Sequence, residues 1–204
     1  MVHLKETEAN DLSNGYNAIA DDFIKLRSHT GRDIVSSWAA NFSKGASILD
    51  VGAGHGVPLT EALIKAELTV KAIEASPRMV QAFQARFPHI EIACEAAETS
   101  LYFNQKFEGI LSVGLVFLLS EQAQRDLIKR LSGALKPGGR LLFSAPCEIG
   151  EWEDVLTHQP SRSLGREAYL GILKEAGLNF VTHHIDAGGS YYYEAERACS
   201  DMTV

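Results

Sequence analysis

Two acids and a set of closely spaced glycines are the residues whose spacing most clearly predicts chemistry in this 204-residue chain. Asp50 ends an apolar run, and Gly52, Gly54 and Gly56 follow it at alternate positions. Glycines let the backbone adopt positive φ and approach a ligand closely. Residues 57–66 have helical spacing, so a helix would point unpaired N–H groups at whatever lies over the glycines. This stretch predicts a ligand-binding turn between a strand and a helix.

A second carboxylate stands at the end of the next apolar run, residues 68–73. Glu74 comes 22 positions after Gly52, close to the spacing of ~20 at which an acid in nucleotide-binding folds holds a pair of ribose hydroxyls. Ser76 and Pro77 then suit the N-cap and the first turn of another helix. The order strand, glycine turn, helix, strand, acid, helix predicts half of a nucleoside-binding fold.

The glycine spacing bears on which nucleoside would bind. The dinucleotide fingerprint is G-x-G-x-x-G, whereas position 57 is Val and the spacing here is G-x-G-x-G. A carboxylate such as Asp50 is unfavourable beside a pyrophosphate, but it suits a cationic or hydroxyl-bearing ligand. Both features disfavour a nicotinamide-dependent oxidoreductase, which we keep as an alternative interpretation.

Four motifs in order resemble those of class I S-adenosylmethionine-dependent methyltransferases: Asp50-x-Gly52-x-Gly54-x-Gly56, Ile73 to Met79, Phe107 to Ser112, and Leu135 to Leu141. The resemblance covers about residues 46–200. It implies an α/β fold with a doubly wound, mostly parallel seven-stranded sheet, a C-terminal antiparallel hairpin and helices on both faces. It also implies S-adenosylmethionine as cofactor and transfer of its methyl group to a small-molecule nucleophile by in-line displacement. A non-catalytic S-adenosylmethionine-binding partner protein is a further alternative.

The resemblance also implies which residues hold the cofactor. In similar methyltransferases an N-terminal helical segment covers the cofactor, and an aromatic residue there often touches it. Relatives often place an Asp-Ala pair against the adenine, but the matching pair here is Ala96-Ala97, so Glu95 or Glu98 could supply the acidic contact. The residues expected at the cofactor are Tyr16, Asp50, Gly52, Ala53, Gly54, Glu74, Ala75, Met79, Ala96, Ala97, Glu98, Val113 and Gly114.

No catalytic residue follows from the sequence, because a sulfonium is already a good leaving group. If the acceptor is a hydroxyl or a protonated amine, a base is needed, and His158, Glu148 and Tyr16 are the candidates. No clustered His, Asp and Glu pattern suggests a catalytic metal.

Periodicity predicts the elements that position these residues. We expect residues 1–45 to form a helical cap on a core of residues 46–204, within one domain overall. The interval from Pro146 to Gly165 is expected to be irregular and to form part of the acceptor pocket. Predicted strands are 47–51, 68–74, 90–93, 109–113, 140–145, 178–185 and 191–198, and predicted core helices are 58–66, 77–86, 120–135 and 166–176.

Composition narrows the partners and the location. A formal net charge of −7 at pH 7 argues against general binding to nucleic acid or to an anionic membrane. Three cysteines without C-x-x-C spacing fit reduced thiols, and the polar, acidic start of the chain lacks the features of a signal peptide. We therefore expect a cytoplasmic monomer or homodimer that acts on a small-molecule methyl acceptor, without a nucleic-acid or membrane partner.

Overall fold

The computed structural model describes residues 11–199. The parts of the expected cap and core at residues 1–10 and 200–204 lie outside this range. In chain order, the elements are α1 (Ala20–Leu26), α2 (Arg32–Ala39), β1 (Ser47–Val51), α3 (Leu59–Lys65), β2 (Thr69–Glu74), α4 (Pro77–Arg86), β3 (Glu91–Cys94), β4 (Phe107–Ser112), α5 (Glu121–Ala134), β5 (Leu135–Ser144), β6 (Ile149–Glu153), β7 (Pro160–Leu164), α6 (Arg166–Glu175), β8 (Leu178–Ile185) and β9 (Tyr191–Arg197).

Seven of the strands form one sheet in the order β3-β2-β1-β4-β5-β9-β8. The first five strands are parallel, and β9 runs antiparallel between β5 and β8. The predicted doubly wound α/β sheet with a C-terminal antiparallel hairpin is confirmed. The chain leaves β1 toward β2 on one side and returns to β4 on the other, so a crevice is expected at the carboxyl ends of these strands.

Apolar clusters cover both faces of the sheet. On one face, Phe143 and Tyr193 stack with ring centroids 4.9 Å apart, and α5 and α6 pack over them. On the other face, Trp38 of α2 packs against Ile48 of β1 and contacts Phe42 edge to face at 4.7 Å. Within residues 11–199, no helix is both long and apolar enough to cross a membrane.

Two local expectations about the chain around this core are wrong. Residues 12–19 form turns rather than the start of a helix, because Asn14 (φ 54°) and Gly15 (φ 86°) adopt left-handed backbone conformations. The strand predicted at 140–145 begins earlier, at Leu135, and within β5 Gly138 has a φ of 73° and the pairing with β4 shifts register.

The interval from Pro146 to Gly165 is more regular than the sequence predicts. Residues Ile149–Glu153 and Pro160–Leu164 pair antiparallel and form a separate two-stranded sheet, β6–β7. The sequence signal is weak because most side chains of β6 are exposed, so apolar and polar residues do not alternate as in a half-buried strand. The turn that joins β6 to β7 contains Asp154.

Asp50 is a buried carboxylate in the central strand of this fold. Its side chain is 3% exposed, and its Oδ2 accepts a hydrogen bond of 2.6 Å from the hydroxyl of Thr60 in α3. Burial raises the pKa of Asp50 to about 7, and the nearby charge of Glu74 also acts to raise this pKa. The hydrogen bond from Thr60 acts in the opposite direction. Asp50 therefore joins β1 to α3, and its ionised form is destabilised in the folded protein.

We predict that Asp50 makes the folded protein less stable as the pH rises from about 4 to about 7. Its folded pKa lies above the unfolded value of 3.8, so folding binds a proton in this range and stability falls by at most ~1.4 kcal/mol per pH unit. Asp50→Asn keeps an oxygen to accept from Thr60 but does not titrate. In urea unfolding, the stability of Asp50→Asn relative to wild type should therefore increase with pH up to neutrality and then level off.

The exposed Asp33→Asn in α2 provides the matched control. A difference between Asp50→Asn and wild type that stays constant from pH 4 to pH 8 would contradict the proposed linkage.

Candidate functional site

A cavity of about 690 Å³ opens at the carboxyl ends of β1, β2, β4 and β5. This volume lies in the range of small-molecule and cofactor sites, and this edge is where open α/β sheets bind ligands. The wall is supplied by the turns after β1 to β5, by residues 12–30, by the β6–β7 turn and by the β8–β9 hairpin. The expected crevice is therefore present and is closed on one side by the N-terminal part of the chain.

The glycine turn after β1 lies in the cavity wall. Gly52 and Gly54 line the cavity with φ values of 75° and 56°, and a side chain on Gly52 would come within 3.2 Å of Leu115. The backbone N–H groups of Gly52 and Ala53 donate to the carbonyl of Ile73 at 2.9 and 3.1 Å. The turn is thus hydrogen-bonded to β2, and its backbone, which carries no side chain at Gly52 and Gly54, faces the cavity.

Gly56 has a different role from the two glycines before it. A Cβ there would lie 2.5 Å from Cε2 of Phe87 and 2.9 Å from the Phe83 ring. These rings belong to the end of α4, so the third glycine permits close packing of the turn against that helix. It does not line the cavity.

Glu74 holds the two ligand-facing turns together. Its Oε2 accepts a hydrogen bond from Gly54 N at 2.8 Å, and its Oε1 accepts one from Ser76 N at 2.8 Å. Burial raises the pKa of Glu74, and these backbone hydrogen bonds act in the opposite direction. Because a carboxylate offers about four lone-pair sites, Glu74 keeps acceptor capacity for hydroxyl groups in the cavity.

Residues 11–18, called here the strap, cross the cavity and attach first to the start of α4. The side-chain oxygen of Asn17 accepts from the hydroxyl of Ser76 at 2.9 Å and from Arg78 N at 3.2 Å. The guanidinium of Arg78 also donates to the carbonyl of Ala18 at 3.3 Å. The strap is thereby fixed at the start of α4, two residues after Glu74.

The strap attaches a second time at the turn between β6 and β7. The hydroxyl of Tyr16 donates to Oδ2 of Asp154 at 3.2 Å, and its ring contacts Phe23 edge to face at 5.3 Å. Burial and the charge of Asp154 raise the pKa of Tyr16, so its hydroxyl stays protonated at neutral pH and is unsuited to act as a base. Tyr16 therefore closes the cavity and contributes a ring to its wall.

Arg27 is a cation in the wall that sequence reasoning missed. It is half-buried, it donates to the carbonyls of Ser28 and Thr30 at 3.1 and 3.3 Å, and within residues 11–199 no carboxylate oxygen lies within 4.0 Å of it. Burial lowers the pKa of Arg27, whereas Tyr192 and Asp186 act to raise it. A single arginine between two helices carries no sequence signal, because only the fold brings it to the cavity.

Arg27 lies on the side of the cavity that contains the glycine turn. Phe23, one helical turn earlier, lies 4.0 Å from the position of a Cβ on Gly54. His55 has its pKa lowered to about 4 by burial and by the charges of Arg86 and Arg27. A guanidinium without a carboxylate partner at this place can bind an anionic group of a ligand.

Most of the predicted cofactor residues meet in this cavity. Asp50 is directed to Thr60 in the core, Ala53 contributes its N–H to β2, and Ala96 is buried behind the wall, so these three do not line the cavity. Glu95 also lines it. The predicted residues that line the cavity are Tyr16, Gly52, Gly54, Glu74, Ala75, Met79, Ala97, Glu98, Val113 and Gly114.

The three candidate bases differ in their position relative to the cavity. Glu148 lines the cavity, whereas His158 does not and is exposed, with its Nδ1 2.7 Å from Oε1 of Glu153. Tyr191 and Tyr192 of β9 also line the wall, so these strand residues contribute to the cavity as well as to packing in the sheet. Alternation along β9 alone could not distinguish the two roles, because the cavity lies at the end of that strand.

Comparisons with known proteins agree with this geometry. Residues 48–139 match the model of a methyltransferase domain. The chain is 25% identical over 140 residues to phosphoethanolamine N-methyltransferase 3 of Arabidopsis thaliana, a match that covers 67% of this chain and 29% of that protein. The chain spans 29% and 63% of the lengths of two curated relatives that it matches.

Solved structures share the fold at low sequence identity. The magnesium protoporphyrin IX methyltransferase from Synechocystis, crystallised with bound S-adenosylmethionine, has a TM-score of 0.74 at 15% identity, over 95% of this chain and 100% of that one. The (4+2)-cyclase SpnF has a TM-score of 0.74 at 14% identity, over 94% of this chain and 97% of that one. The motifs, the sheet order and the comparisons thus agree: residues 48–139 match a methyltransferase domain, and the chain shares the fold of a methyltransferase crystallised with S-adenosylmethionine.

Proposed function

We propose that this protein binds S-adenosylmethionine in the cavity and transfers its methyl group to a small-molecule nucleophile. The observation that carries the proposal is Glu74, a buried carboxylate that lines the cavity while its two oxygens accept from Gly54 N and Ser76 N, both at 2.8 Å. Such a fixed acceptor suits the adjacent hydroxyls of a ribose.

The remaining wall fits the other parts of this cofactor. Ala75, Met79 and Ala97 form an apolar side next to Glu74, which suits a nucleobase, and Glu98 offers a carboxylate at its edge. On the side of the glycine turn, the guanidinium of Arg27 would hold a carboxylate. The negative group of Glu74 and the positive group of Arg27 thus support a binding mode with the ribose at Glu74 and the amino-acid end of the cofactor at Arg27.

When bound, S-adenosylmethionine supplies a methyl group on a positively charged sulfur, which is a good leaving group. The task left to the chain is to place a nucleophile in line with that methyl group, and such positioning can supply ~7–11 kcal/mol of the barrier. The side chains of Leu115, Phe117 and Leu118 make one wall apolar, and the strap covers the cavity. Exclusion of water strengthens the electrostatic contacts within.

Of the three candidate bases, Glu148 is the one best suited to remove a proton from the acceptor. Tyr16 keeps its hydroxyl proton at neutral pH, and His158 lies outside the cavity. Glu148 lines the cavity and is exposed enough to exchange protons with water. We therefore propose Glu148, directly or through water, for an acceptor that must lose a proton.

A binding function without methyl transfer is the second candidate. The observation that favours it is the shared fold with a protein described as a cyclase, since the fold alone does not define the reaction. Binding and transfer are therefore to be measured separately, with S-adenosylhomocysteine for binding and methyl-labelled S-adenosylmethionine for transfer. Tight binding without transfer to any small nucleophile would favour this candidate, whereas label in a small product would exclude it.

We predict that Glu74→Ala weakens S-adenosylhomocysteine binding by about 1.5–3 kcal/mol for each charge-assisted hydrogen bond lost. Isothermal titration calorimetry measures the change. Glu74→Gln retains one oxygen for the backbone donors and should lose less. Glu67→Ala, which removes an exposed carboxylate paired with Lys44, should bind as wild type does. Unchanged affinity in Glu74→Ala, with the protein folded by circular dichroism, would contradict the proposed role of Glu74.

A second prediction separates the amino-acid end of the cofactor from its nucleoside. Methylthioadenosine shares the thioether nucleoside of S-adenosylhomocysteine but lacks the amino-acid carboxylate. Arg27→Met keeps much of the apolar stem and removes the charge, so it should weaken S-adenosylhomocysteine binding by about 10-fold or more and leave methylthioadenosine binding nearly unchanged. Equal losses for both ligands in competition calorimetry would place Arg27 elsewhere than at the carboxylate.

A further inference from the structure

The cavity has a second part, beside the residues proposed for the cofactor. Glu74 ends β2 and the glycine turn follows β1, whereas Ser144 ends β5 and Gly114 follows β4 by two residues. In the sheet, β4 and β5 come directly after β1, and Gly114 and Ser144 both line the cavity. Nothing lies within 4 Å of the position of a Cβ on Gly114, so the space over β4 and β5 is open to a methyl acceptor.

Ser144 brings a buried hydroxyl to this part of the wall. The residue is 4% exposed, and its Oγ accepts a hydrogen bond of 2.8 Å from Gly114 N. A hydroxyl also has one proton to donate, and Ser144 donates no hydrogen bond to another residue in the range 11–199. Its oxygen is thus held by the backbone, and its proton is available to a ligand in the cavity.

In the described part of the chain, the wall over β4 and β5 offers no buried partner for a charged acceptor. Arg27 is the one cation among the described residues that line the cavity, and it lies beside the glycine turn. Glu148 is exposed to water, and its Oε2 accepts from the thiol of Cys147 at 3.1 Å. Asp154 is hydrogen-bonded to Tyr16 and lies beyond the other end of the extended strand β6, roughly 20 Å along the chain from Glu148. A charged acceptor would lose its water here without a partner, which is costly.

Apolar and aromatic side chains form most of the remaining wall in this part. The segment after β4 contributes Leu115, Phe117 and Leu118. The ring of Tyr191, at the start of β9, also lines the cavity, and it stacks on His183 with centroids 4.8 Å apart and an interplanar angle of 3°. Rings and aliphatic side chains suit a flat apolar molecule, because aromatic rings bury a large area and pack well against one another.

We propose that the methyl acceptor is an uncharged molecule with a planar aromatic body and an oxygen atom that accepts a hydrogen bond from Ser144. This inference rests on the proposed function and names the substrate class of the same cavity. Ser144 takes no part in proton transfer; it selects the acceptor and orients it over β4 and β5. A charged molecule of the same shape is disfavoured, because its charge would be buried without a partner.

Three naphthalene derivatives of similar shape test the preference for an uncharged acceptor: 2-naphthol, 2-naphthoate and 2-naphthylmethylamine. Equilibrium dialysis at neutral pH measures the binding of each to protein saturated with S-adenosylhomocysteine. The uncharged 2-naphthol should bind about tenfold tighter than the anion and than the cation. A charged derivative that binds as tightly as 2-naphthol, or no binding of 2-naphthol at millimolar concentration, would overturn the inference.

Ser144→Ala tests the contact to the oxygen atom. Naphthalene matches 2-naphthol but lacks the oxygen, so the preference for 2-naphthol over naphthalene should fall about fivefold in this variant, the effect of one hydrogen bond. Binding of naphthalene itself should stay as in the wild type. Equal losses for both ligands would mean that Ser144 only supports the backbone at Gly114, and they would overturn its role toward the acceptor.

Ser112→Ala provides the matched control. Ser112 ends β4, is fully buried and does not line the cavity, and its Oγ has no hydrogen-bond partner among the described residues. This variant should keep the wild-type preference, and a loss equal to that of Ser144→Ala would also overturn the inference. The affinity for S-adenosylhomocysteine is measured first for each protein. Failure of the wild type to bind it counts against the proposed function, whereas normal binding without the preference for 2-naphthol counts against this inference alone.

Discussion

The site depends on one carboxylate that accepts hydrogen bonds from the backbone of two different turns. Glu74 ends β2 and accepts from Gly54 N in the turn after β1 and from Ser76 N at the start of α4. These turns belong to adjacent parallel strands, so one side chain sets the distance between them. Because burial disfavours the charge of Glu74 and the backbone donors favour it, the same bonds that shape the cavity also help to keep a negative group in its wall.

Charged side chains without an oppositely charged neighbour distinguish the cavity wall from the rest of the described surface. On the outside of the molecule, acids mostly stand beside bases, as Glu61 does beside Arg32 and Lys65. In the wall, Arg27 and Asp154 have no opposite charge within 4.0 Å among the described residues. An unpaired charge in a half-closed space costs stability unless a ligand compensates it. The pattern of unpaired charges is therefore a physical argument about ligands that is independent of the resemblance to known proteins.

The sequence predicted most of the sheet because its signals are local. Apolar runs that end in Asp50 and Glu74, glycines after the first run and Pro77 after the second define strands and turns without knowledge of the fold. It did not predict which way Asp50 turns, since a carboxylate before a glycine turn can face the ligand or the core. Only the position of Thr60 in α3, ten residues later, decides that it faces the core. Residue type and spacing therefore identified the turn but not the direction in which the side chain of Asp50 points.

The features that the sequence missed depend on contacts between distant segments. Arg27 reaches the cavity because the chain folds back over the glycine turn, and β6–β7 forms although its residues are largely exposed. The strap shows why such contacts matter for function. Its neighbouring residues Tyr16 and Asn17 bind Asp154 and Ser76, which are 78 positions apart in the chain. The strap thus links the β6–β7 turn to the start of α4, two residues after the carboxylate proposed for the cofactor, and a displacement of this short segment breaks hydrogen bonds on both sides at once.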